Sequence, residues 1–260
     1  MKKQRLGLLM ILVLLTVLSA SVCGEQMEDV SAAYPGIDTA SPLWIEDLDA
    51  AENTTQILVI AAYRSDLPTA WISLHEKYPD GTWHMVMTTP GFIGKNGLDK
   101  NCEGDLRTPT GVYHFNRAFG IADDPGCAIP YVKVDEDTYW SCDQRDGYHY
   151  NELVSLKDLP GLDIESGCSE HIIDYVYNYK YCLNISYNED CIPGLGSGIF
   201  LHCLGSTRPF TAGCIAIPED HMKYVMQRID DDTVVVINTY ETLTGSDEWP
   251  ASTWPQETPG

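Results

Sequence analysis

Apolar positions along this chain gather mostly in short blocks with strand-like spacing. Gln56–Ala62 (QILVIAA) is a continuous apolar run suited to a buried strand. Thr69–Tyr78 and Gly81–Thr88 flank Asp80-Gly81, a hairpin signal. Further strands are predicted at Thr110–Phe115, Gly198–Leu201 and Thr233–Thr239. Helical spacing occurs twice. Ile172, Ile173 and Val176 predict a helix from Ser169 to about Tyr179, with Ser169 as N-cap. Met222, Val225, Met226 and Ile229 predict another just after Pro218. Both helices interrupt strands and do not alternate with them. The expected class is therefore mainly β, a barrel or sandwich with two or three inserted helices.

The ends of the chain read differently. Lys2, Lys3 and Arg5 precede the apolar run Leu6–Leu18, which is short for a membrane span, and the small residues Val22 and Gly24 stand at −3 and −1 of a cut before Glu25. Residues 1–24 thus read as a signal peptide; a retained anchor and a lipoprotein site at Cys23 are the alternatives. Residues 25–54 read as an acidic leader or linker, 55–240 as the folded domain, and 241–260 as a flexible, proline-rich tail. Export would leave a secreted protein with no stable membrane insertion.

Charge narrows the partners. Three of the 16 basic residues and none of the 38 acidic ones lie in residues 1–24, so 13 bases face 38 acids after cleavage. An excess near −25 repels phosphate backbones and anionic lipid, which excludes nucleic acid as a partner. The nine cysteines include no C-x-x-C pair, so zinc-ribbon and thioredoxin spacings are absent. Eight remain without Cys23, and a secreted chain with eight invites disulfides.

Chemistry concentrates in LHCLGSTRPFTAGCIAIP, Leu201–Pro218. A thiol is only slightly ionised at neutral pH, so a catalytic cysteine needs a base and N–H donors for the oxyanion. Cys214 follows Thr211, Ala212 and Gly213, small residues that let a substrate carbonyl approach the backbone. His202 ends the predicted strand and would be its base. Strand alternation turns Cys203 to the opposite face, toward the core or a disulfide partner. On pattern alone three readings stand: nucleophile with base, half a metal site, or two structural cysteines beside a satisfied histidine.

The wider context resembles the L,D-transpeptidase catalytic-domain family of bacterial cell-wall enzymes. His202, Thr211, Gly213, Cys214 and Ile215 match its histidine, loop and Ser/Thr-x-Gly-Cys-aliphatic motif. TPGFIGKNGLDKNCEGDLRTPTGVYHF (Thr89–Phe115) looks like its Thr-Pro-x-Gly-x-Tyr/Phe region, and Thr138–Asn151 and Ser169–Tyr181 look like further segments. The likeness covers roughly residues 55–240. It implies that Cys214 attacks an amide carbonyl of a peptidoglycan stem peptide and forms a thioester. His202 would be general base and acid, its other nitrogen held by a carbonyl within Leu204–Ser206. N–H groups of Ala212, Gly213 and Cys214 would hold the oxyanion. No cofactor or metal is implied.

Two positions depart from the family pattern. Ala212 stands where histidine is common and Ala216 where arginine is common, and the loop from His202 to Thr211 is short. Arg208 is the candidate replacement cation for a substrate carboxylate. Competing readings are a carboxypeptidase-type hydrolase of the same fold, a catalytically idle envelope-binding domain, and a sortase-like enzyme. The last wants a downstream catalytic arginine, and only Arg228 follows. Gly91–Gly97 lacks Walker spacing and reads as a turn. Among the other histidines His114 is the best candidate to line the cleft, and Trp140, Tyr148 and Tyr150 are candidates to flank a groove. Asn53-Thr-Thr and Asn184-Ile-Ser are glycosylation sequons.

Overall fold

The computed structural model describes residues 33–205 and 208–249; the segment read as a signal peptide and the end of the tail lie outside it. The apolar blocks form strands in chain order: β1 Thr39–Ala40, β2 Gln56–Ala62, β3 Thr69–Lys77, β4 Trp83–Phe92, β5 Gly111–Gly120 and β6 Tyr131–Lys133. They continue with β7 Thr138–Trp140, β8 Leu153–Ser155, β9 Glu170–His171, β10 Cys182–Ile185, β11 Phe200–Cys203, β12 Ile215–Ile217 and β13 Val234–Thr239. Eight of them pair in the order β4-β12-β11-β10-β5-β13-β2-β3, and β3 pairs back with β4, which closes a barrel. The mainly β barrel expected from the sequence is the architecture found.

Period-two alternation decides what each strand contributes. Leu58, Ile60, Leu74, Leu183, Leu201, Cys203, Ile215, Ile217, Val235 and Ile237 turn inward and make the barrel core. Each such buried aliphatic side chain is worth roughly 1.5–3 kcal/mol. The outer face of β2 and β3 is also covered: Ile57, Val59, Ala61 and Trp71 pack with Ile45 and Ala51 of the leader and with Tyr240. That double coverage explains why QILVIAA is apolar at every position from Ile57 to Ala62. Buried His75 sits between Ser41 Oγ (2.8 Å) and Ser73 Oγ (2.7 Å), joining the leader to β3.

The predicted helix after Pro218 is present as α1 (Glu219–Met226), with Met222, Val225 and Met226 buried. The predicted helix from Ser169 to Tyr179 is not. Glu170 and His171 form β9 against β7, and only single 3-10 turns follow at Ile172–Asp174 and Asn178–Lys180. Three causes combine. Cys168 is in a disulfide with Cys142; the Ser169 hydroxyl accepts from the Cys142 N–H (3.2 Å) instead of capping a helix; and β-branched Ile172, Ile173 and Val176 are poor helix formers. The start of the tail is ordered: α2 spans Tyr240–Thr244, and Trp249 packs against Tyr63 and Tyr240. Asn184 is buried in β10 with its amide on Asn116, so its sequon is a packing feature.

Candidate active site

The remaining outer face, on β5, β10 and β11, carries Phe119, Cys182 and Phe200. Trp140, Ile172 and Tyr179, from the long excursion between β5 and β10, cover it. A cleft of about 670 Å³ opens there, and Cys214, His202, Ala216, Ala212, Gly213, Thr211 and Arg208 all line it. Alternation on β11 places Phe200 and His202 outward while Leu201 and Cys203 enter the core, so Cys203 is separated from the cleft as expected.

His202 Nδ1–H donates to the Cys203 carbonyl at 2.8 Å. The carbonyl expected within Leu204–Ser206 is therefore the one a residue earlier. The bond fixes the tautomer and leaves the Nε2 lone pair available. The ring of Tyr179 packs edge-on against the imidazole, 5.4 Å between centroids. Burial holds His202 well below the usual 6.5, to about 4, against the opposing pull of the Cys203 carbonyl.

Cys214 is a free, buried thiol. Its Sγ donates to the Gly198 carbonyl at 3.2 Å and accepts the Phe200 N–H at 3.4 Å. No direct hydrogen bond joins it to His202 among the described residues. Burial first, and then the charge of Glu170, push the thiol up to about 12. The resting pair is thus a neutral thiol and a neutral imidazole.

The turn before the sulfur is tied at several points. Thr211 bridges Gly94, just past the end of β4: its N–H donates to the Ile93 carbonyl and its carbonyl accepts the Lys95 N–H, both at 2.9 Å. Its hydroxyl donates to the Cys214 carbonyl at 2.6 Å and accepts the Gly213 N–H at 3.1 Å. The Gly213 amide, expected as an oxyanion donor, is therefore used inside the turn. The N–H groups of Ala212 and Cys214 are the ones without an acceptor among the described residues. Thr108, in the Thr-Pro-x-Gly segment, donates to the Gly213 carbonyl (2.7 Å) and accepts the Gly94 N–H (2.8 Å). Gly213 has φ +150°, and a Cβ there would stand 2.8 Å from the Arg107 carbonyl oxygen. Only glycine fits.

Several cleft residues had no sequence signal that singled them out. Lys95, in the segment read as a turn, lines the mouth with its ammonium over the Phe210 ring. Lys100 pairs with Asp105 at 2.9 Å. Glu103, Glu170, Tyr175 and Tyr179 complete the walls. Arg208 is exposed at the same mouth. Of the earlier aromatic candidates, Trp140 lines the cleft and Tyr150 donates to Glu103 behind it; Tyr148 instead lies against Arg145. His114 is elsewhere, exposed beside Glu189 at 3.4 Å. It points outward from the barrel, whose interior its neighbours Tyr113 and Phe115 face.

A sequence model of the YkuD family, the L,D-transpeptidase catalytic domain, matches residues 69–237. No curated protein matches the chain. Among solved structures it is similar to the helical cell shape determining protein Pgp2 of Campylobacter jejuni. That match has 18% identity over 71% of this chain and 48% of that one, with a TM-score of 0.39. It is also similar to a mutant of the Enterococcus faecium L,D-transpeptidase, at 15% identity over 72% and 50% with a TM-score of 0.31. The chain spans about half the length of these structures.

Proposed function

The chain belongs to the L,D-transpeptidase catalytic-domain family, and from that premise we propose that it is a secreted, cysteine-dependent acyltransferase acting on peptidoglycan stem peptides. Cys214 is the nucleophile and His202 its base. The donor carbonyl enters beside Cys214, and the thiol leaves the Gly198 carbonyl and gives its proton to His202 Nε2 as the C–S bond forms. Since both groups rest uncharged, proton transfer accompanies attack. The oxyanion meets the N–H groups of Ala212 and Cys214. His202 then protonates the leaving amine as the C–N bond breaks, which leaves a thioester. An amine or water takes the acyl group by the reverse proton path. Lys95 and Arg208, both at the mouth, suit the donor's carboxylates.

The observation that carries this reading is the shared cleft: a free thiol and a tautomer-fixed imidazole from two cross-tied elements. The free thiol counts against an idle domain with Cys214 tied into a disulfide; an idle domain of the other form would hold His202 and Cys214 too far apart to react. Hydrolysis of the same thioester is the second reading, because the small side chains of Ala212 and Ala216 leave room for water. A carbapenem, which acylates thiols, tests the assignment by intact mass. Cys214→Ala is expected to abolish the adduct and Cys203→Ala to retain it. Equal loss in both variants would overturn the reading.

A further inference from the structure

Two carboxylates in the cleft are not used by the reaction above. Glu170 comes from β9 and Glu103 from the loop between β4 and β5, and both line the cleft with Cys214. Glu170 Oε2 accepts the Tyr179 hydroxyl at 2.7 Å. Glu103 Oε2 accepts the Tyr150 hydroxyl at 2.7 Å and Ser197 Oγ at 2.8 Å. Each group is held through one oxygen, and Oε1 of each has no protein donor among the described residues. Neither forms an ion pair there: Lys100 is spent on Asp105, Lys95 lies over Phe210, and Arg208 sits at the mouth.

This arrangement is electrostatically incomplete. Burial raises the Glu170 carboxyl to about 6, against its Tyr179 hydrogen bond and helped by the charge of Glu103. Glu170 in turn opposes ionisation of Cys214. Acyl transfer builds negative charge on the sulfur and the carbonyl oxygen, so a fixed anion beside them raises the barrier unless a cation accompanies it. Lys100 pulls Cys214 the other way but is already paired with Asp105, and no cation among the described residues neutralises Glu170 or Glu103. A substrate ammonium would.

We propose that Glu170, with Glu103 beside it, is the subsite for the ammonium group of the acyl acceptor, selecting a cationic primary amine over water; this rests on the acyl-transfer reading above. The acceptor arrives as R–NH3+ and gives one proton to the Glu170 carboxylate. The neutral nitrogen attacks the thioester carbonyl, the C–N bond forms and the C–S bond breaks. The second nitrogen proton passes through His202 to the departing sulfur. The products are the amide, the neutral Cys214 thiol and a protonated Glu170, which returns its proton to water.

The test is a partition experiment on the full mature chain. A stem tetrapeptide serves as donor, and the acceptor is either a stem peptide with a free side-chain amine or hydroxylamine, which is uncharged near pH 7.5. In Glu170→Gln, transfer to the amine is expected to fall by about tenfold or more relative to transfer to hydroxylamine, chiefly through KM for the amine. Glu103→Gln, which keeps the Tyr179 contact of Glu170, is expected to shift the ratio the same way. A merely structural role would lower both transfers together. An unchanged ratio in both variants, with the thioester still forming, overturns the subsite alone. A wild-type chain that never forms the thioester overturns the function and the subsite with it.

Discussion

His202 and Cys214 rest uncharged, both because burial disfavours their ionic forms. Alkylation of Cys214 by iodoacetamide is therefore expected to be slow at pH 7 and to climb steadily past pH 10. A rate already at plateau below pH 7 would reveal a thiolate–imidazolium pair and contradict this account. Acylation by the donor is expected to fail on the acid side only as pH drops toward about 4, where His202 takes a proton and can accept none from the thiol. Transfer to an amine is expected to fall earlier, as Glu170 is protonated near pH 6. His202→Asn is expected to lower turnover by about 10²–10⁴-fold, measured as release of the donor's terminal residue. At this scale the sequence was readable where one local rule sufficed. Strand alternation separates Cys203 from His202 without any tertiary knowledge. Glu103, Glu170 and Lys95 were not readable, because they meet only after distant segments fold onto one barrel face. The partner of the Gly213 amide was not readable for a similar reason: its acceptor, the Thr211 hydroxyl, is a matter of turn geometry that residue types do not specify.

Among the elements, the turn from Thr211 to Cys214 and the excursion that covers the cleft depend on few contacts each. Gly213→Ala forces a side chain into a backbone conformation at φ +150° and against the Arg107 carbonyl. It is expected to cost about 1–3 kcal/mol in a thermal or denaturant melt and to abolish acylation. The excursion is pinned by the Cys142–Cys168 disulfide, a separation of 26 residues. Replacing both cysteines by serine is expected to cost about 3 kcal/mol by chain entropy, and to loosen Glu170 and Tyr179 against His202. The missed helix in this segment has the same origin. Apolar spacing alone favours a helix from Ser169, while a disulfide, a side-chain bond to Cys142 and two strand pairs outweigh it. The helix after Pro218 was legible because only its own apolar face and the barrel core decide it.

At the scale of the whole molecule, the segments that cover the outer faces of the barrel bury two histidines uncharged, the leader over His75 and Tyr179 over His202. Burial holds His75 near 3 and His202 near 4, against 6.5 in the usual case. Below about pH 6.5 the unfolded chain binds protons that the folded chain refuses, so stability falls as pH drops from about 6.5 toward 4. Each histidine adds a slope of up to about 1.4 kcal/mol per pH unit in that window. The urea midpoint is expected to drop between pH 7 and pH 5, and to drop less in His75→Gln. The whole-molecule features were legible in part. Continuous apolar runs reveal covered strands, but the closing pair of β3 with β4 and the packing of leader and tail on one face have no local signature. The central claim concerns one cysteine among the nine of the chain. Its most direct test is to mix the protein with a stem tetrapeptide, quench in acid and map the acyl adduct by peptide mass. The account predicts a thioester on the peptide bearing Cys214, formed as the terminal residue is released; release of that residue with the adduct on any other cysteine, or with none, would contradict it.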